Sequence, residues 1–238
     1  MDGERVRNLK ITGSGSSSGG LYEKVAVVGE GAILDDLDCL GCKTQGTSRF
    51  SGDVKCGSFH VSGTAEVEGR MRAELMKIFG EAKIVGDATV KEARIRGSVE
   101  TKAGLTAESI DLRGLVAVEG NCEAEEFAGK GGFRIGGLLN AGVLEMKLKF
   151  PSSAREIGGE RIHIERDRLP FGLNKMWKSG KLEVDTIEGD DIDIEFTTAK
   201  IVRGNRVRIG PGCEVDVVEY KNHIDISPES HIKEQRQV

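Results

Sequence analysis

Glycine recurs at 29, 46, 63, 80, 97, 114 and 131, every step being seventeen residues. Lines of that length cover residues 29–147, and a fixed repeat of this kind constrains the fold more than any local propensity does. In most lines a second glycine follows six places later, at Gly52, Gly69, Gly86, Gly120 and Gly137. With each line numbered from its first glycine, position 5 runs Ile33, Phe50, Val67, Ile84, Thr101, Val118, Ile135. Position 14 runs Cys42, Phe59, Met76, Ala93, Ile110, Phe127, Leu144. The apolar columns come in pairs two apart: 3 with 5, 9 with 11, and 14 with 16. That is the strand period, in which alternate side chains share a face.

Each line therefore reads as three short strands, each turning two side chains inward, joined by three corners. Glycine suits the corners because it adopts positive φ without steric cost. The predicted fold is all-β, a triangular parallel β-helix with coils of about seventeen residues. A helical solenoid is excluded, since two-helix repeats need more than thirty residues and no 3.6-residue stripe is present. Aromatic residues make up only 5% of the chain, which fits a narrow interior of Val, Ile, Leu and Ala.

The regular coil is expected over 21–150, after a flexible segment, 1–20, that holds the glycine–serine run of residues 13–20. Within that first segment, residues 5–11 are expected to cover the first coil or to be mobile. No proline interrupts lines 29–147, whereas Pro151, Pro170, Pro211 and Pro228 all follow. Proline cannot donate to a ladder and marks corners or departures from it. Residues 151–181 are read as an irregular insertion carrying Phe171 and the single Trp177. Residues 182–233 are read as a continuation with irregular C-terminal coils. Its strand pairs include Ile192/Ile194, Val207/Ile209, Val215/Val217 and Ile224/Ile226. Residues 234–238 form a polar tail. The insertion reads as a plug on the flank or, through Phe171 and Trp177, as a partner-docking loop.

Chemistry is sparse. Cys39 and Cys42 form a CxxC, but both occupy inward columns, as do Cys56 and Cys122, so they read as small buried hydrophobes. An odd cysteine count fits a reducing compartment. The four histidines are scattered. Asp190–Asp191 and Glu125–Glu126 read as solvated corners. The stretch GKGGFRIGG (129–137) lacks the P-loop pattern and its helix. No catalytic residue, cofactor or metal is expected. The net charge is −5 and no basic stripe is evident along the sequence, which argues against a nucleic-acid partner. There is no long apolar run and no signal-peptide core, and the chain is expected in the cytoplasm.

A coil of this kind closes its sides but leaves two open ends with unpaired strand edges. Val25, Val27 and Ile33 at one end, and Ile224, Ile226 and Ile232 at the other, are the expected assembly interface. The lines GTAEVEGRMRAELMKIFGEAKIVGDATVKEARIRG (63–97) resemble the bactofilins, bacterial polymer-forming cytoskeletal proteins. The opening NLKITGSGSSSGG (8–20) followed by VVGEG (27–31) is similar to bactofilin-like proteins of Bacillus relatives. The resemblance implies a right-handed β-helix and nucleotide-free filaments of a scaffold serving cell shape, wall synthesis or motility. Its implied partners are further copies of the chain and membrane-associated, cell-wall or flagellar assembly proteins, with a peripheral place at the inner face of the membrane. The alternatives are a non-polymerising binding module, or a carbohydrate-active enzyme or acyltransferase built on a β-helix.

Overall fold

The computed structural model describes residues 7–167 and 180–238, all of them in strands and their connecting corners. The fold is a parallel β-solenoid of about 13 turns, divided into two units, 1–108 and 109–238.

In the first unit, β1 (Arg7–Ser17), β2 (Gly20–Ile33), β3 (Leu37–Phe50), β4 (Val54–Val67), β5 (Met71–Ile78) and β7 (Ala88–Ile95) stack in that order. The short strands β6 (Glu81–Ile84) and β8 (Ser98–Thr101) continue the stack above the second half of β4. From β2 onward the register advances by seventeen at every step, as in Leu37↔Val54, Val54↔Met71 and Met71↔Ala88. The interior columns form as the period requires: Val67 faces Ile84, and Ile84 faces Thr101. Phe50 and Phe59 are fully buried and meet edge to face, their ring centroids 5.7 Å apart.

The glycine columns serve a different purpose from the one expected. Gly29, Gly46 and Gly63 do have positive φ, but Gly80 and Gly97 are not among the positive-φ residues. What they share is vertical contact. A Cβ on Gly80 would lie 2.0 Å from the carbonyl oxygen of Gly63, and one on Gly97 would lie 2.0 Å from that of Gly80. Turn thus sits on turn at this corner too closely for any side chain.

A second corner is held by a ladder that the sequence reading missed. Asp36 Oδ1 accepts the Asp53 amide at 2.8 Å, Asp53 Oδ1 accepts the Arg70 amide at 2.7 Å, and Asp87 Oδ1 accepts the Gly104 amide at 2.9 Å. Each carboxylate ties its own corner to the next turn. Charged pairs add to this between turns: Asp53 with Arg70 at 2.7 Å, Glu66 with Lys83 at 2.8 Å and Glu74 with Lys91 at 2.9 Å. The Arg70 side chain and amide hold the Asp53 carboxyl below its ordinary 3.8, and Lys83 holds Glu66 below 4.5. Carboxyls depressed in the fold stabilise it above their unfolded values, and that stability fades as pH falls through the folded ones. These carboxyls are therefore expected to leave the melting temperature unchanged above about pH 5 and to lower it below about pH 4. Asp53→Asn should flatten part of that acid limb in a thermal scan against pH; a wild-type curve flat to pH 2 or so contradicts the ladder's role.

The second unit comprises β10 (Leu115–Val118), β11 (Cys122–Leu148), β12 (Ser152–Arg166), β13 (Leu182–Ile194), β14 (Thr197–Ile209), β15 (Glu214–Ile226) and β16 (His231–Gln237). The strand β9 (Leu105–Leu112) runs from the one sequence range into the other. Val118 faces Ile135 at a step of seventeen. The step then changes: Leu138↔Glu156, Leu182↔Thr197 and Glu214↔His231 are eighteen, fifteen and seventeen residues apart. The expected pairings Ile192↔Val207 and Val207↔Ile224 are present. One pair differs from expectation. Val215 and Val218 are buried while Val217 is only half-buried, because the chain turns a corner between them and restarts its alternation.

β12 pairs directly with β13, Ser152 facing Leu182, thirty residues further along the chain. At the end of β12 the Arg166 guanidinium lies 3.2 Å from the centroid of the Phe196 ring, and its Nε donates to the Gly180 carbonyl at 3.1 Å. Phe196 has φ of +47°, rare for a bulky residue, and the Arg166 cation is stacked on its ring.

Candidate functional site

Two strands pair on one side only among the described residues. β1 pairs with β2, and β16 pairs with β15. Their outer backbone groups are the free edges of the sheet.

The residues expected at the first edge are not there. Val25, Val27 and Ile33 are 2%, 1% and 1% exposed. β1 covers them, with Leu9 facing Val25, Ile11 facing Val27 and Ser17 facing Ile33. Most of the glycine–serine run, expected to be flexible, is the end of this strand: residues 13–17 belong to β1, and Gly20 opens β2. Glycine and serine weaken strand propensity, but a preformed parallel edge supplies their hydrogen bonds and overrides it. The turn that β1 adds is nearly polar. Ile11 is its one buried apolar side chain, Leu9 is half-buried, and the following positions are Gly and Ser.

At the other edge Ile224, Ile226 and Ile232 are half-buried, as an end turn requires. β16 covers only the Glu214–Tyr220 part of β15, so the strand face from Lys221 to Ile226 has no further turn over it. Phe171 and Trp177 lie outside the described residues.

The chemical groups are absorbed by the architecture. Cys39 faces Cys56, and both are buried with Cys42, which approaches Cys39. Hydrogen bonds from Cys42 and Cys56 lower the Cys39 thiol, while donation to Cys39 and burial push Cys42 and Cys56 up. Burial, and then the neighbouring Glu123 charge, push Cys122 up to about 12. These thiols are interior packing, and all five cysteines are free. Asp190 Oδ1 accepts from the Asn205 amide at 2.6 Å, and Asp191 pairs with Arg206. His163 Nδ1 lies 3.2 Å from Asp193. The GKGGFRIGG stretch forms part of β11, and Gly129 and Lys130 border a shallow groove of about 830 Å³ in the second unit. Two of its cations have their own partners there, Lys130 with Asp167 at 2.8 Å and Lys147 with Glu165 at 2.7 Å. Among the described residues no group of three or more metal-ligating side chains is assembled, and there is no helix long and apolar enough to cross a membrane.

One side of the first unit differs. Lys10 faces Ala26, Ala26 faces Lys43, Lys43 faces His60, His60 faces Lys77 and Lys77 faces Arg94. All of these side chains point outward. Burial, then Lys43 and Lys77, lower the His60 imidazole below its ordinary 6.5. The Phe79 ring lies beside it with centroids 5.4 Å apart. Here the sequence reading is corrected: a basic stripe exists. Its members stand seventeen residues apart, so no local cluster betrays them.

No family model matches the sequence, and no solved structure matches it. Among curated proteins, the chain is 48% identical over 235 residues to the uncharacterized protein YhbF of Bacillus subtilis, covering 98% of each. It is 53% identical over 229 residues to the uncharacterized protein YhbE of the same organism, covering 96% of this chain and 97% of that protein.

Proposed function

We propose that this chain, which belongs to the family of the Bacillus subtilis proteins YhbF and YhbE, is a structural scaffold that polymerises end to end without nucleotide. The observation that carries this reading is the pair of free parallel edges, β1 and β16, each bonded on one side only among the described residues. A strand edge with unpaired N–H and C=O groups is a template for adding another strand. A second copy supplies such a strand in the same geometry that joins turn to turn within the chain. The likeness of the seventeen-residue lines to bactofilins supports the same reading. In it the protein is cytoplasmic, lies at the inner face of the membrane, and supports cell shape, wall synthesis or motility with membrane-associated, cell-wall or flagellar assembly proteins. No catalytic step belongs to this role.

Negative-stain microscopy of the purified full chain without nucleotide tests it. Fibres are expected. Ile11→Asp and Ile226→Asp, which place a charge in the turn at each edge, are expected to abolish them while the β-sheet circular dichroism remains. Discrete particles from the wild-type chain favour a non-polymerising binding module instead. Fibres that survive both substitutions mean lateral assembly and overturn the end-to-end reading.

A further inference from the structure

We infer that the third side of the first unit, built on Lys43, His60, Lys77 and Phe79, is a docking surface for an anionic lipid bilayer. The inference rests on the membrane-proximal part of the proposed function and assigns it a surface.

That side consists of residues 24–28, 41–45, 58–62, 75–79 and 92–96, with 8–12 of β1 at its margin. It carries Lys10, Lys24, Lys43, Lys77, Arg94 and Arg96 against Glu92 alone, and Glu92 is bound to Arg94. The contrast with the rest of the unit is in the pairing. Lys55, Arg70, Lys83 and Lys91 each hold a carboxylate of the preceding turn. Among the described residues Lys10, Lys24, Lys43 and Lys77 form no ion pair. The chain as a whole is acidic, with a net charge of −5, so this concentration of lysines without an ion pair is local.

Apolar side chains stand among the cations. Phe79 is 57% exposed and Val28 39% exposed, with Leu75 half-buried between Ser58 and Glu92. The outward side chains of a parallel sheet rise from one plane, and successive turns set Lys43, His60, Lys77 and Arg94 over a span of about 14 Å. A flat array of ammonium groups with an aromatic ring at its level matches the bilayer interface, where lysines meet phosphates and aromatic rings sit at headgroup depth. A nucleic-acid duplex offers the phosphates but no apolar layer for Phe79 and Val28. The corresponding column of the second unit carries Asp111 and Glu145 and does not share the property.

Flotation of the full chain with vesicles tests the assignment. Vesicles of equimolar phosphatidylglycerol and phosphatidylcholine are expected to carry the protein, and vesicles of phosphatidylcholine alone are not. Added salt should weaken the binding. Lys43→Gln with Lys77→Gln should weaken it about 30-fold, the product of two surface lysines. Phe79→Ser should weaken it further. All three positions point outward, so circular dichroism should be unchanged. Equal binding to neutral vesicles, no binding to either, unchanged binding by the double variant, or tighter binding to a DNA duplex than to anionic vesicles each overturns the proposal. Fibre formation by the double variant separates the two readings. A variant that forms fibres but releases vesicles supports the docking surface. A wild-type chain that binds anionic vesicles without forming fibres leaves the surface standing and removes the scaffold.

Discussion

Phe59→Ala is expected to lower the unfolding free energy by about 3–5 kcal/mol, the upper part of the range for core substitutions. Phe59 is fully buried in the first unit, edge to face with Phe50. Cys42 faces it from one turn and Met76 from the next. The loss has two parts, the transfer of a ring back to water and the void left behind. In many proteins the void shrinks as neighbours move in. Here each turn is bonded to the turns on either side at a fixed ladder spacing of about 4.8 Å, so the walls cannot close along the stack. The cavity term should persist almost in full. Urea denaturation followed by circular dichroism measures it, with His60→Ala, an outward neighbour, expected within about 0.5 kcal/mol of wild type. A Phe59→Ala loss below about 1 kcal/mol means that the interior relaxes and is not packed as described.

Gly63→Ala is expected to cost about 2–3 kcal/mol, large for the addition of one methyl group. Gly63 has φ of +144°, and its Cβ would lie 2.2 Å from the Gly46 carbonyl oxygen and 2.8 Å from the Gly46 amide nitrogen. The obstacle is backbone of the adjacent turn, which cannot rotate aside as a side chain can. Relief requires parting two turns at the corner, and that breaks ladder bonds next to it. The control is Gly41→Ala. Its Cβ would meet only the Ser58 hydroxyl, at 3.3 Å, and that group can turn away. In parallel urea titrations Gly41→Ala should stay close to wild type while Gly63→Ala falls well below it. Equal midpoints for the two remove vertical contact as the reason for the glycine column.

The repeat made most of the first unit legible. A period of seventeen with apolar pairs two apart leaves few arrangements, and Val67, Ile84 and their columns stand where the period puts them. The second unit was harder to read because its step varies from fifteen to nineteen and reaches thirty between β12 and β13, and alternation restarts at corners that carry no glycine signal. Val217 was assigned inward because two-residue spacing continues through the sequence while the chain itself turns.

The candidate sites were less legible than the fold. Val25, Val27 and Ile33 looked terminal because the glycine–serine run before them looks like a linker. Whether such a run is strand or loop depends on whether an edge is present to pair with it. The basic side was missed for a related reason. Lys43, His60, Lys77 and Arg94 are neighbours only across turns, and along the chain each is immediately flanked by apolar or small residues.

The sequence alone determined the coil: its period, its inward columns, its aliphatic interior and the identity of the residues at its corners. These are properties of one turn, set by alternation and by glycine. Only the tertiary structure decided what stacks on what. It made β1 a strand, set aspartate against the amide of the following turn, and gathered widely spaced lysines into one surface. Those outcomes depend on contacts between turns, and the register that creates them is a property of the assembled ladder rather than of any segment within it.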